Sequence, residues 1–124
     1  MTGYVSSKAK VEGYIERNAV ILGPSTIGSG TVIGKDVIVG YLVEKALKSF
    51  VYSHPFDIEK YDTFSKGARI GKDCIIRSGT VIYETVTIGD KVRTGHNALI
   101  REGSIIGDDT LIGSSAKLDG TVKI

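Results

Sequence analysis

Residues 70–94 read IGKDCIIRSGTVIYETVTIGDKVRT. Taking every sixth residue from Ile70 gives Ile70, Ile76, Ile82, Ile88 and Thr94, and the series runs on through Ile100, Ile106, Ile112, Leu118 and Ile124. Four places after each stands a small or β-branched residue: Cys74, Thr80, Val86, Val92, Ala98, Ser104, Thr110, Ala116 and Val122. Glycine often follows the large residue directly, at Gly71, Gly89, Gly95, Gly107 and Gly113. An upstream array obeys the same rule in another phase. Its large positions are Ile15, Ile21, Ile27, Ile33 and Val39, its small ones Ala19, Ser25, Thr31, Val37 and Val43.

A fixed period of this kind decides the architecture before any local propensity does. Side chains alternate across a strand, so the large residue and the small one two places before it face the same way. That shared direction is the interior. Glycine eases the turn that bends the chain toward the next pair. The 3.6 spacing of a helix is absent, and period-2 runs with irregular turns are a poor match. Cys74 falls in a small interior slot and reads as core, as do the isoleucines. Thr94 is the polar exception in the large series. His96, two places on, falls on a turn and should point outward.

At 124 residues the chain allows one domain, residues 1–124. Sixteen Lys and Arg against 14 Asp and Glu give a net charge of +2 with no basic block, so a nucleic-acid partner is not expected. A lone cysteine excludes an internal disulfide and suits a reducing compartment. No segment has the length of a signal peptide core or a membrane span. A cytoplasmic protein with no membrane partner is the expectation.

The arrays, about 9–44 and 64–124, are separated by KALKSFVYSHPFDIEKYDT, residues 45–63. From Val39 to Phe64 is 25 residues, four hexads plus one, so Phe64 is expected in a large slot and Ala68 in a small one. Long excursions from a regular scaffold tend to carry function. This one holds Phe50, Tyr52, Phe56 and Tyr61, which either pack the loop onto its own coil or a neighbouring subunit, or meet substrate. His54 precedes Pro55, which favours extended backbone, and nothing around it specifies catalytic geometry.

The pattern [Leu/Ile/Val]-Gly-x-x-[small]-x resembles the hexapeptide-repeat family. That resemblance implies an all-β fold, a left-handed parallel β-helix with three hexads, 18 residues, per coil and one inserted loop. Residues 18 apart would then stack, placing Ser78, His96 and Ser114 in one column. The stretch IIRSGTVIYETVTIGDKVRTGHNALIRE (residues 75–102) is similar to sugar-nucleotide N-acetyltransferases, and its Gly-His-Asn hexad to acyltransferases of the lipid A pathway. The resemblance implies a homotrimer with acetyl-CoA as cosubstrate, bound between adjacent helices, and no metal. The other substrate would be an amino-sugar nucleotide.

Carried over on the matching residues, His96 is the general base, and Asn97 orients it or contacts substrate. An imidazole, with an ordinary pKa near 6.5, suits proton removal from an amine. Gly95, Gly113 and Ser114 would border the cofactor, with a backbone N–H near Gly113 for the oxyanion. Arg77 would meet a phosphate, and Arg101 and Glu102 the substrate, unless the last two form an inter-subunit ion pair. Two other readings stand beside this one. A γ-carbonic-anhydrase-like lyase shares the fold but needs three histidines, and the chain has two. A non-catalytic assembly scaffold is the other. It is kept open by the stop at Ile124 on an interior slot, which suggests a fragment of a longer product or an end covered by a partner.

Overall fold

The computed structural model describes residues 3–50 and 57–124. Sixteen strands of two to four residues lie among them, and every pairing is parallel. They stack into three sheets. The first face carries Tyr4–Val5, Val20–Ile21, Ile38–Tyr41, Val81–Tyr83, Leu99–Ile100 and Lys117–Leu118. The second runs from Lys10–Val11 to Ile105–Ile106, and the third from Tyr14–Ile15 to Leu111–Ile112. This is the left-handed parallel β-helix of the hexapeptide period.

The two slots fill the interior as the period requires. Ile21, Ile33, Ile76, Ile82 and Ile100 are wholly buried, with Ala19, Val37, Cys74, Val86 and Ala98 between them. Each such isoleucine contributes about 1.5–3 kcal/mol by leaving water. Small polar residues in the narrow slots are satisfied across coils. Thr31 Oγ1 donates to the Gly71 carbonyl at 2.7 Å and accepts the Cys74 N–H at 3.0 Å. Ser25 Oγ donates to the Leu22 carbonyl and accepts the Ala68 N–H. Burial raises the Cys74 thiol pKa, and Sγ lies 3.1 Å from the Gly89 carbonyl, so Cys74 is a core residue.

The corners show why particular residues recur. One column of left-handed backbone contains Asn18, Asp36, Gly79, Asn97 and Ser115; a second contains Gly30, Asp73, Lys91 and Asp109. Asn, Asp and Gly tolerate this region best. The glycine after the large residue has a different purpose from the one expected. Gly28, Gly71, Gly89 and Gly95 have no positive φ. A Cβ on any of them would meet the next coil, for example the Gly71 carbonyl carbon at 2.6 Å from Gly28. Close stacking, not a special φ, selects glycine there.

The excursion contains two helices, α1 (Glu44–Phe50) and α2 (Ile58–Phe64), where sequence suggested a loop. Asp57 caps α2, accepting the Glu59 N–H at 3.1 Å and the Lys60 N–H at 3.3 Å. Phe64 therefore ends a helix and is 47% exposed, which corrects its expected place in the interior. Ala68, by contrast, is buried. Coils on either side of the excursion meet across 43 positions instead of 18, as at Ser25 and Ala68. Gly40, with φ 87°, is the extra residue of a bulge between Val39 and Tyr41.

Two buried carboxylates fasten this segment. Glu84 accepts the Val43 N–H at 2.9 Å with one oxygen and the Lys66 N–H at 2.8 Å with the other, so it grips both stems. Asp62 accepts from Gly23 N–H at 2.7 Å and the Tyr4 hydroxyl at 2.8 Å. Burial pushes the Asp62 carboxyl up, but hydrogen bonds from Ser6, Gly23 and Tyr4 and the Lys8 charge outweigh it and hold its pKa low. The same bond, with burial and the charges of Asp62 and Glu59, pushes Tyr4 up to about 12. Tyr61 lines an apolar groove with Val20, Leu22 and Ile38 of the adjoining coils. His54, Tyr52, Pro55 and Phe56 lie outside the described residues, as does the Phe50 side chain. Among the described residues no helix is long and apolar enough to cross a membrane.

Candidate active site

The site is built where the interior ladder changes character. At neighbouring corners, the residue after the large one donates its N–H to the large residue's carbonyl one coil on: Gly71 to Ile88, Gly89 to Ile106, Gly95 to Ile112. Arg77 instead donates to the Thr94 hydroxyl, at 3.1 Å. Thr94 is 3% exposed and its hydroxyl also lies 3.3 Å from that of Thr80, which in turn donates to the Gly95 carbonyl at 3.2 Å. The polar residue in the isoleucine series thus holds both ends of the Ser78 turn, Arg77 and Thr80, one coil from His96.

His96 is exposed on that turn, as its position in the hexad requires. The expected column forms. Ser78 Oγ lies 2.8 Å from His96 Nδ1, and the His96 N–H donates to Ser114 Oγ at 3.0 Å. The backbone repeats the stacking, with Asn97 N–H on the Ser78 carbonyl at 2.9 Å and Ser115 N–H on the His96 carbonyl at 2.8 Å. With Nδ1 engaged, Nε2 is the ring nitrogen left for a bound molecule.

A groove of about 450 Å³ opens beside the imidazole. Its walls include Arg77, Arg93, Gly95, Gly113 and Ser114, with Ile75 and Leu111 supplying apolar surface. Two guanidiniums next to a histidine suit an anionic ligand, because Arg pairs with phosphate oxygens bidentately. Arg93 escaped the sequence reading. Outward strand positions look alike along the chain, and only the register that sets Arg93 against Ile75 and Leu111 puts it on this wall.

The remaining expected residues divide. Gly95 borders the groove, but its missing side chain is accounted for by Ser114, whose Oγ and backbone occupy the space a Cβ would need. Gly113 faces open space, with nothing within 4 Å of a Cβ. Asn97 holds the left-handed turn position at φ 56°, and its side-chain oxygen packs against Gly79. Arg101 and Glu102 lie away from His96, along the far edge of the first face. They pair with each other at 3.3 Å within the chain, and Arg101 sits 5.2 Å over the Tyr83 ring. They line a separate pocket with Val43, Glu44, Lys45 and Lys48. Among the described residues no three His, Cys, Asp or Glu side chains gather as metal ligands.

Residues 85–120, which include the whole His96 turn, match the family model described as bacterial transferase hexapeptide (six repeats). That stretch carries the hexapeptide repeat of the matching family. No curated protein matches the sequence significantly. Among solved structures, one similar chain is the acetyltransferase domain of PglB from Neisseria gonorrhoeae FA1090 in complex with acetyl coenzyme A. The two are 18% identical with a TM-score of 0.38, over 96% of this chain and 50% of that one. This chain therefore spans about half the length of that structure.

Proposed function

We propose that the protein is a cytoplasmic acyltransferase that moves an acyl group, acetyl in the simplest case, from acyl-CoA to an amino-sugar nucleotide. The observation that carries this reading is the exposed His96 ring, held through one nitrogen and opening into a groove with two arginines. His96 Nε2 takes a proton from the acceptor amine as its nitrogen attacks the thioester carbonyl. The new bond is N–C; the C–S bond breaks, and the thiolate leaves with a proton returned from the imidazolium. A backbone N–H at the open Gly113 turn serves the oxyanion. Arg77 and Arg93 hold cosubstrate phosphates, and apolar Ile75 and Leu111 flank the pantetheine arm. Asn97 fixes the turn, while Arg101 and Glu102 take a more distant part of the acceptor.

The groove is open on one side, and a homotrimer would close it. Tyr14 and Leu111, each 66% exposed, and Ile75 at 38% give the third face exposed apolar surface, interrupted by Arg93 between Ile75 and Leu111, which supports packing against a second copy. One observation favours a purely structural part for His96. Asp90 and Asp108, at the same hexad position of another corner, accept ladder N–H groups at 2.9 and 2.7 Å. The two readings separate in a thiol-release assay with acetyl-CoA and a panel of amino-sugar nucleotides. Release that depends on acceptor and disappears in His96→Ala supports the enzyme. A folded trimer with no release under any acceptor supports the scaffold.

A further inference from the structure

We propose that Ser78 is the positioning residue for His96: its hydroxyl oxygen accepts the Nδ1–H and so keeps the Nε2 lone pair facing the groove. This rests on the reading of His96 as the base in acyl transfer. The two atoms are 2.8 Å apart, although the residues are 18 positions apart in sequence. The ladder bond from Asn97 to Ser78 locks these two turns together, and Ser115 and Ser114 hold the His96 carbonyl and N–H from the opposite side. The His96 backbone is therefore held by three coils, and the ring is oriented from it by the Ser78 bond.

Comparison with the Asp corner sharpens the point. There the side chain at the equivalent position accepts a backbone N–H from the coil before: Asp90 from Lys72, Asp108 from Asp90. His96 departs from that rule and takes a side-chain hydroxyl as partner. A serine can donate or accept, but only one choice is compatible with a base at Nε2. If Ser78 donated to Nδ1, the neutral ring would carry its proton on Nε2 and could not take another there. If Ser78 accepts, Nε2 is bare, and after proton uptake the imidazolium keeps the same bond with no rearrangement. Setting the tautomer through the second nitrogen is the general way histidine roles are assigned.

The test is nitrogen-15 NMR of the histidine rings, with His54→Gln used to assign the two. The expected neutral His96 has Nδ1 protonated and Nε2 bare. Ser78→Ala moves the population toward Nε2–H, and Ser78→Thr, which keeps a hydroxyl, restores it. In turnover, Ser78→Ala lowers kcat by about tenfold or more, leaves KM for acyl-CoA unchanged, and is rescued by Ser78→Thr. A wild-type His96 that is Nε2–H when neutral, or a tautomer indifferent to Ser78→Ala, overturns the proposal. Because the spectrum needs no turnover, the outcomes separate. An Nδ1–H ring in a protein that transfers no acyl group sinks the enzyme reading alone, whereas an Nε2–H ring in an active enzyme sinks the role of Ser78 alone.

Discussion

Thr94 and Arg77, on adjacent coils, are joined by a hydrogen bond from a backbone N–H to a side-chain hydroxyl, where neighbouring corners use a carbonyl. This bond explains why a threonine interrupts a run of isoleucines. Thr94→Val keeps the volume and β-branching but leaves a backbone N–H in the interior wall without its acceptor. The expected loss is about 1–3 kcal/mol, read by urea unfolding, whereas Thr94→Ser costs less because the hydroxyl remains.

Gly95 and Ser114 compete for one volume. Gly95→Ala places a methyl on the Ser114 side chain and backbone, so it destabilises the last two coils. Ser114→Gly removes the nearest atom but also the acceptor for the His96 N–H. In a double-mutant cycle the two changes should couple by roughly 0.5–3 kcal/mol, as contacting residues do. Additive losses would show that the close approach is not what selects glycine.

Glu84 holds both stems of the excursion through Val43 and Lys66. Glu84→Gln keeps one acceptor oxygen and should release one stem; Glu84→Ala should release both. Limited proteolysis is expected to cut between residues 43 and 66 faster in the order wild type, Gln, Ala, while the coils on either side stay intact. Equal cutting rates would mean that the carboxylate is not what holds the stems.

Acid should loosen α2 first. The Asp62 carboxyl is held below its ordinary pKa, so its contribution to stability is present above the unfolded value and is lost as pH falls through the folded one. Tyr4 shifts the opposite way: its contribution is complete below the ordinary phenol value of 10.0 and is lost only as pH rises through about 12. Melting temperature measured from pH 7 down to pH 2 should fall less in Asp62→Asn than in wild type. Parallel curves would show that other carboxylates dominate acid unfolding.

Much of this was legible in the sequence. The period alone places Ile82, Ile100 and Val86 inside, puts His96 on an outward turn, and, once a coil length is known, stacks Ser78, His96 and Ser114. A repeat constrains each residue by its neighbours 18 positions away, so local reading becomes spatial reading. The excursion breaks that rule. Asp62 finds Tyr4 across 58 positions and Glu84 finds Val43 across 41, and neither distance is a multiple of a coil. Helices α1 and α2 are seven residues each, about two turns, too short for periodicity to announce them. Phe64 was misplaced because hexad counting carries through a segment where the coil is suspended. Arg93 was missed for the opposite reason, since every coil offers an equivalent outward position and only the groove singles one out.

The central claim is that His96 removes a proton during acyl transfer. It is tested most directly by acceptor-dependent thiol release from acetyl-CoA in wild type and His96→Ala, with folding of both verified by their melting temperatures. Because His96 is exposed and Ser114 keeps its backbone partner, the substitution should leave melting nearly unchanged while lowering kcat by about a hundredfold or more. A variant that folds alike and turns over at the wild-type rate would contradict the account.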